Sequence, residues 1–94
     1  MHKPLFTVII PNYNGLRFME NCMTALRAQS YDSFVVLIVD NGSADGSREY
    51  LEKLSAEDDK DKVKCILLDS NTGFSGAVNV GIAAADTEYV VLLN

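Results

Sequence analysis

The chain has few of the features that mark secreted, zinc-binding or membrane-spanning proteins. Its two cysteines, Cys22 and Cys65, form no CxxC pair and no Cys/His cluster, so we expect reduced, packed thiols and no zinc site. The longest unbroken apolar runs, 34–39 and 89–93, are far too short to span a bilayer. The first four residues lack the basic and apolar regions of a secretory signal, and we therefore expect a cytoplasmic protein.

Basic residues are also scarce, and the net charge is −5. This balance argues against nucleic acid as a partner, because a phosphate polymer is held mainly by a positive field. A small phosphorylated ligand remains compatible with the charge, since backbone amides alone can form a local anion site. The length of 94 residues, with 48% hydrophobic and 22% charged residues, is typical of one small globular domain.

Strand and helix patterns alternate along the chain. A β-branched run closed by Pro11 predicts a first strand, and apolar residues spaced at i, i+3, i+4 and i+7 then predict a helix. Asp45 or Ser43 is available to cap the second helix, and the charged segment 57–62 predicts a solvated connection. The predicted strands are 6–10, 34–39, 63–68 and 89–93, and the predicted helices are 16–29, 47–55 and 76–85.

The order β-α-β-α-β-α-β predicts an α/β, Rossmann-like fold. Strands joined through helices require right-handed crossovers, which give a parallel sheet covered on both faces. Asn14-Gly15 and Asn41-Gly42 also resemble hairpin turns, but a helical period follows each of them, which disfavours a hairpin.

Polar segments follow each predicted strand at its carboxyl end. These ends meet at one edge of a parallel sheet, where helix N-termini offer free amides, so we expect one ligand pocket there. Tyr13 can stack on a base or be an ordinary surface tyrosine. Asp40 can accept hydrogen bonds from a base or ribose, or it can serve turn chemistry through Asn41 and Gly42.

Glycines introduce the third predicted helix. Gly73 and Gly76 can let the backbone approach a diphosphate, whereas Gly76, Ala77, Gly81 and Ala84 can instead serve tight helix packing. Asn79 can be a polar contact or a solvated residue. The sequence contains neither GxGxxG nor GxxxxGK[ST], so the dinucleotide-fingerprint and P-loop interpretations lose their specific support.

Taken together, four segments resemble the family 2 glycosyltransferases of GT-A fold, and within them the bacterial rhamnosyltransferase-like branch. The segments are TVIIPNYN (7–14), VDNGSADGS (39–47), NTGFSGAVNVG (71–81) and VLLN (91–94). The resemblance implies an inverting transfer from a nucleoside diphosphate sugar, such as a UDP-sugar or dTDP-rhamnose, to a saccharide or lipid-linked acceptor. It also implies Mg²⁺ or Mn²⁺ as cofactor in the intact enzyme, and a role in cell-surface polysaccharide synthesis.

By position, the resemblance implies that Pro11 and Tyr13 frame the nucleobase and that Asp40 bonds it. Asn94 matches the first position of the D-x-D-like metal motif. The full set of implied donor-binding residues is Pro11, Tyr13, Asn14, Asp40, Asn41, Gly73, Gly76 and Asn79.

The chain departs from the family pattern after Asn94. The acid of the metal motif, the catalytic base and the acceptor-binding half are absent, and an amide alone is a poor ligand for a divalent cation. We therefore expect residues 1–94 to be the N-terminal nucleotide-sugar-binding subdomain, truncated after the fourth strand. It would bind the donor without tight metal binding or catalysis.

Two expectations concern associations. The exposed apolar surface left by truncation should cause self-association, and the intact enzyme can associate peripherally with the inner face of the membrane. Two alternatives to an enzyme are a non-catalytic nucleotide-binding module and an unrelated α/β domain.

Overall fold

A computed structural model describes residues 4–30, 33–57 and 62–93. These residues form four strands and three helices in the predicted alternating order. The elements are β1 (Phe6–Asn12), α1 (Leu16–Arg27), β2 (Phe34–Asp40), α2 (Ser47–Glu57), β3 (Val63–Leu67), α3 (Gly73–Ala84) and β4 (Tyr89–Leu92).

All strand pairs are parallel, and the strand order across the sheet is β3-β2-β1-β4. The chain moves outward from β1 to β2 and β3, and then returns through α3 to the other side of β1. Since crossovers are right-handed, this reversal places α3 on the face opposite α1 and α2. The result confirms the predicted α/β, Rossmann-like class.

The larger core lies between the sheet and helices α1 and α2. Met23 and Leu51 are at most 2% exposed there, and they pack in one cluster with the strand residues Val8, Ile10, Val36 and Ile38. Each such side chain contributes about 1.5–3 kcal/mol when it is fully removed from water. Cys22 and Cys65 are free and half-buried, as expected for packed thiols.

The second face is covered by α3 through small residues. Ala77 is fully buried against Leu37 and Val39. A Cβ atom added to Gly81 would lie 2.7 Å from Cγ2 of Ile9, so this glycine permits the close approach of α3 to β1. The packing interpretation of the small residues is confirmed at Ala77 and Gly81. None of the described helices is long and apolar enough to cross a membrane.

Some predicted boundaries were wrong. The first strand does not end at Pro11 but continues to Asn12, because β1 pairs with β2 as far as Asn12, whereas its pairing with β4 ends at Ile9. Successive residues of β1 direct their backbone groups alternately toward β2 and toward β4. The carbonyl of Asn12 accepts a hydrogen bond on the β2 side, so the missing N–H of Pro11 faces the β4 side and costs no ladder bond.

The third helix begins at Gly73 and not at Gly76, because the Asn71 side chain accepts a hydrogen bond from the backbone nitrogen of Gly73 at 2.7 Å and starts the helix earlier. Similarly, α1 stops at Arg27 and α2 extends to Glu57. Most of the predicted charged connection, residues 58–61, lies outside the described residues.

Candidate functional site

The loops after β1, β2 and β3 border one open cleft at the carboxyl edge of the sheet. Its volume is about 460 Å³, which lies within the range of small-molecule sites. The cleft is lined by Pro11, Asn12, Tyr13, Asn41, Asn71, Gly73 and Phe74. The structure therefore brings together four of the predicted residues, namely Pro11, Tyr13, Asn41 and Gly73.

Asp40, at the end of β2, is fully buried behind this cleft. Its Oδ1 accepts hydrogen bonds from Nδ2 of Asn12 at 2.9 Å and from the Ser43 hydroxyl at 2.7 Å. Its Oδ2 accepts a bond from the backbone nitrogen of Ser43 at 3.0 Å. The carboxylate thus fixes the β2–α2 loop, which is the turn chemistry considered for it from the sequence, and it also orients the amide of Asn12.

Arg48, in the first turn of α2, lies beside the same carboxylate. Its Nη1 is 3.8 Å from Oδ2 of Asp40 and donates a hydrogen bond to the carbonyl of Leu68 at 2.6 Å. Arg48 therefore ties α2 to the ends of both β2 and β3, and it places a positive charge next to a fully buried acid. No sequence pattern indicated this role, beyond the presence of a basic residue shortly after the Asp45-Gly46 turn.

Asn41 is only 4% exposed, and its side chain holds the loop that leads into α3. Its Oδ1 accepts bonds from the backbone nitrogen of Thr72 at 2.8 Å and from the Thr72 hydroxyl at 3.0 Å. Its Nδ2 donates to the carbonyl of Gly73 at 3.0 Å. Asn41 both lines the cleft and fixes the position of one of its walls.

The loops after β1 and β2 are joined in the same way. Asn14 adopts a φ of 53°, its backbone nitrogen donates to the Ser43 hydroxyl at 2.8 Å, and its Oδ1 accepts a bond from Ala44 at 2.8 Å. Asn has a polar side chain that tolerates this left-handed conformation better than most residues do. Asn14 therefore contributes to the shape of the site through loop contacts, and it is not among the lining residues.

Asp45 holds the first turns of two helices. Its Oδ1 accepts bonds from the backbone nitrogen and hydroxyl of Ser47, at 3.0 and 2.6 Å, and its Oδ2 accepts one from the backbone nitrogen of Leu16 at 3.0 Å. The Ser47 hydroxyl, followed by the Leu16 amide, lowers the pKa of Asp45 below its ordinary value. Of the two caps considered for α2, Asp45 is confirmed.

The remaining predicted site residues occupy different positions. Gly73 lines the cleft with a φ of 83°, a conformation that favours glycine. Gly76 and Asn79 lie on α3 outside the lining set, with Asn79 exposed, so their contacts with a donor stay a prediction. Asn94 lies outside the described residues.

Metal binding has little support within the described part of the chain. No group of three or more His, Cys, Asp or Glu there could hold an ion. Hard divalent cations require several oxygen ligands, usually including carboxylates. The described residues therefore do not fit a divalent metal by themselves.

Asn12, Asn71 and Phe74 line the cleft but were not singled out as binding residues from the sequence. Asn12 and Asn71 lie in the polar segments that follow the first and third predicted strands, so their position alone could have suggested them as binding residues. Phe74 lies in a glycine-rich segment, and nothing in that segment indicated that an apolar side chain would line a polar cleft.

The model of the family described as glycosyl transferase family 2 matches residues 7–94. The chain belongs to this family. The match covers all three loops of the cleft, and it overturns the alternative of an unrelated α/β domain. The members of this family are glycosyltransferases, so the family predicted from the sequence is confirmed. Membership of the rhamnosyltransferase-like branch stays a prediction.

Two relatives illustrate the similarity. An uncharacterized glycosyltransferase of Nostoc sp., alr2836, is 40% identical over 94% of this chain and 27% of the relative. A putative teichuronic acid biosynthesis glycosyltransferase of Bacillus subtilis, TuaG, is 32% identical over 98% of this chain and 36% of the relative. The chain thus spans about a quarter to a third of these relatives.

Solved structures share the fold. The structure of S. aureus TarS in complex with UDP has a TM-score of 0.80 and 28% identity, covering 98% of this chain and 27% of that one. A mannosyltransferase of Pyrobaculum calidifontis, in complex with GDP-Man and Mn²⁺, has a TM-score of 0.79, covering 92% of this chain and 26% of that one. Its identity of 23% makes it evidence for the fold alone.

Proposed function

We propose that the chain forms the donor-binding part of a glycosyltransferase that transfers a sugar from a nucleoside diphosphate sugar to a saccharide or lipid-linked acceptor. The observation that carries this proposal is the single cleft that the family-matched loops after β1, β2 and β3 form at the carboxyl edge of the sheet. Ligands of open α/β sheets bind at this edge.

The lining residues suit the parts of a nucleotide. Tyr13 is 54% exposed and offers a ring on which a base can stack. The first turn of α3, starting at Gly73, offers backbone amides that suit a diphosphate. Asp40 supports this scheme by accepting a hydrogen bond from Nδ2 of Asn12, a residue that lines the cleft.

The finer properties follow from the relatives and the resemblance. TarS was crystallised with UDP, which supports a UDP-sugar donor, and the name of TuaG places that relative in teichuronic acid synthesis, which supports a role in cell-surface polysaccharides. The alternative donor, dTDP-rhamnose, rests on the resemblance. Inversion at the sugar, a divalent metal with Asn94 as a candidate ligand, and a location in the cytoplasm or at the inner face of the membrane rest on the resemblance.

Titration of the chain with UDP, dTDP and GDP, followed by amide NMR shifts, tests the proposal. We expect saturable shifts in residues that line the cleft with at least one nucleotide. Tyr13→Ala should weaken that binding by about fivefold or more, because stacking on an aromatic ring is worth roughly 1–3 kcal/mol per base. Phe18→Ala is the matched control, since Phe18 is 61% exposed but lies on α1 outside the cleft. Absence of binding at millimolar nucleotide would overturn the proposal.

A further inference from the structure

Two exposed aromatic side chains lie at the cleft. Among the described residues, several large hydrophobic side chains are exposed, but of these only Tyr13 and Phe74 line the cleft. Phe74 is 55% exposed and belongs to neither hydrophobic core cluster. A large apolar ring that contributes nothing to the core, at the rim of a polar pocket, is a feature of ligand sites.

A shared frame sets the positions of the two rings. The backbone nitrogen of Asn41 donates to the carbonyl of Asn12 at 2.8 Å, which fixes the residue before Tyr13. The side chain of the same Asn41 binds the carbonyl of Gly73 at 3.0 Å, which fixes the residue before Phe74. One buried residue therefore links the backbone supports of both aromatic side chains.

We propose that Phe74 is a base-stacking residue that forms a second aromatic wall of the cleft, with Asn41 as the residue that positions it relative to Tyr13. This inference rests on the proposed function, and the ligand group concerned is the nucleobase of the donor. A phenyl ring carries no donor or acceptor, so it holds the flat face of a base without reading its edge. Base identity then depends on the neighbouring amides, such as Asn71.

The chain supplies a matched control for this role. Phe18 is 61% exposed and lies in the first turn of α1, as Phe74 lies in the first turn of α3, but Phe18 is outside the cleft. Neither ring belongs to a hydrophobic core cluster, so removal of either ring should change the stability of the fold little. Differences between the two variants therefore report on the cleft.

The experiment titrates UDP into the wild-type chain and into Phe74→Ala, Phe74→Tyr and Phe18→Ala. It monitors the proton signals of the uracil ring, which stacking shifts upfield. We expect Phe74→Ala to weaken UDP binding by about fivefold or more and to reduce the upfield shift. Phe74→Tyr should preserve both, and Phe18→Ala should leave both unchanged.

The possible failures are distinguishable. If Phe74→Ala binds UDP as Phe18→Ala does, while Tyr13→Ala binds weakly, the base site exists with one wall and the role of Phe74 is refuted. If the wild-type chain binds none of UDP, dTDP and GDP, the proposed function fails and the role of Phe74 fails with it. Thermal unfolding of each variant shows whether an observed loss of binding reflects a loss of fold.

Discussion

Oδ1 of Asn41 accepts two hydrogen bonds from Thr72, one from its backbone nitrogen at 2.8 Å and one from its hydroxyl at 3.0 Å. Asn41→Ala removes this acceptor and leaves the Thr72 amide without its partner. We expect a loss of about 1–3 kcal/mol in the free energy of unfolding, measured by urea titration. Asn21→Ala, at an exposed position of α1, is the control and should be neutral or slightly stabilising. An equal effect of both changes would contradict the bridging role.

Asp40 and Ser43 provide a graded test of the buried polar network. Ser43→Ala removes one hydroxyl, whereas Asp40→Ala removes the acceptor of three hydrogen bonds. We expect Ser43→Ala to cost about 1–3 kcal/mol of stability and Asp40→Ala to cost more, because it leaves several buried donors without their acceptor and removes the negative charge beside Arg48. Urea unfolding measures both, with Ser55→Ala on the surface of α2 as control. A smaller effect at Asp40 than at Ser43 would contradict this assignment of partners.

This network also determines how a binding experiment on Asp40 is interpreted. The carboxylate is 0% exposed, and its described partners are all within the protein. A weaker affinity of Asp40→Ala for nucleotide can therefore arise from displaced loops without direct contact to the base. Only a variant that binds weakly while it keeps its unfolding free energy supports direct contact.

The order of elements could be predicted because it depends on local periodicity. The β-branched run of β2 and the apolar stripe of α1, with Met19 and Met23 buried, are both visible in short stretches of sequence. The carboxyl-edge location of the cleft then follows from parallel topology alone.

The partners of individual side chains could not be predicted in the same way. Asn41 binds Thr72 across 31 residues and Arg48 binds Leu68 across 20, and neither pairing leaves a local pattern. The early start of α3 depends on a single side-chain bond from Asn71. For Asp40 the sequence left open a ligand contact and turn chemistry; its complete burial depends on how three loops pack, which sequence spacing does not encode, and its contact with a base stays a prediction.

Gly81 tests the close packing of α3 on the sheet. In Gly81→Ala the new methyl group would lie 2.7 Å from Cγ2 of Ile9, a side chain that is 1% exposed. Overpacking costs about 1–3 kcal/mol, which exceeds or offsets the gain of about 1 kcal/mol from better helix propensity. We expect net destabilisation in a thermal or urea unfolding experiment.

A double-mutant cycle isolates this contact. Ile9→Ala removes the opposing methyl group, so Gly81→Ala should be neutral or stabilising in that background. Additive effects of the two changes would show that the contact is not responsible.

Cys65 predicts a pH dependence of stability. Burial, with a smaller contribution from the charge of Asp40, raises the pKa of this thiol from 9.0 to about 11. The folded state therefore holds the proton to higher pH than the unfolded state. The resulting stability is fully present below pH 9.0 and is lost as the pH rises through about 11.

Urea unfolding of wild type and Cys65→Ala over this pH interval measures the effect. The alkaline loss of stability should be smaller in Cys65→Ala. In Cys22→Ala, where burial alone raises the thiol pKa, we expect a smaller difference from wild type. Identical pH profiles for wild type and Cys65→Ala would exclude Cys65 as the source.

We expect self-association of the chain to occur through β4. It is an edge strand in the described sheet, and its four residues, Tyr89 to Leu92, are 44–53% exposed. An apolar edge strand offers backbone groups and side chains to a second copy. We expect a concentration-dependent sedimentation coefficient, which Val91→Lys should reduce because a buried lysine opposes strand pairing between copies. Ala83→Lys, on the exposed side of α3, should leave the association unchanged. A monomer of constant size over a wide concentration range would exclude self-association through β4.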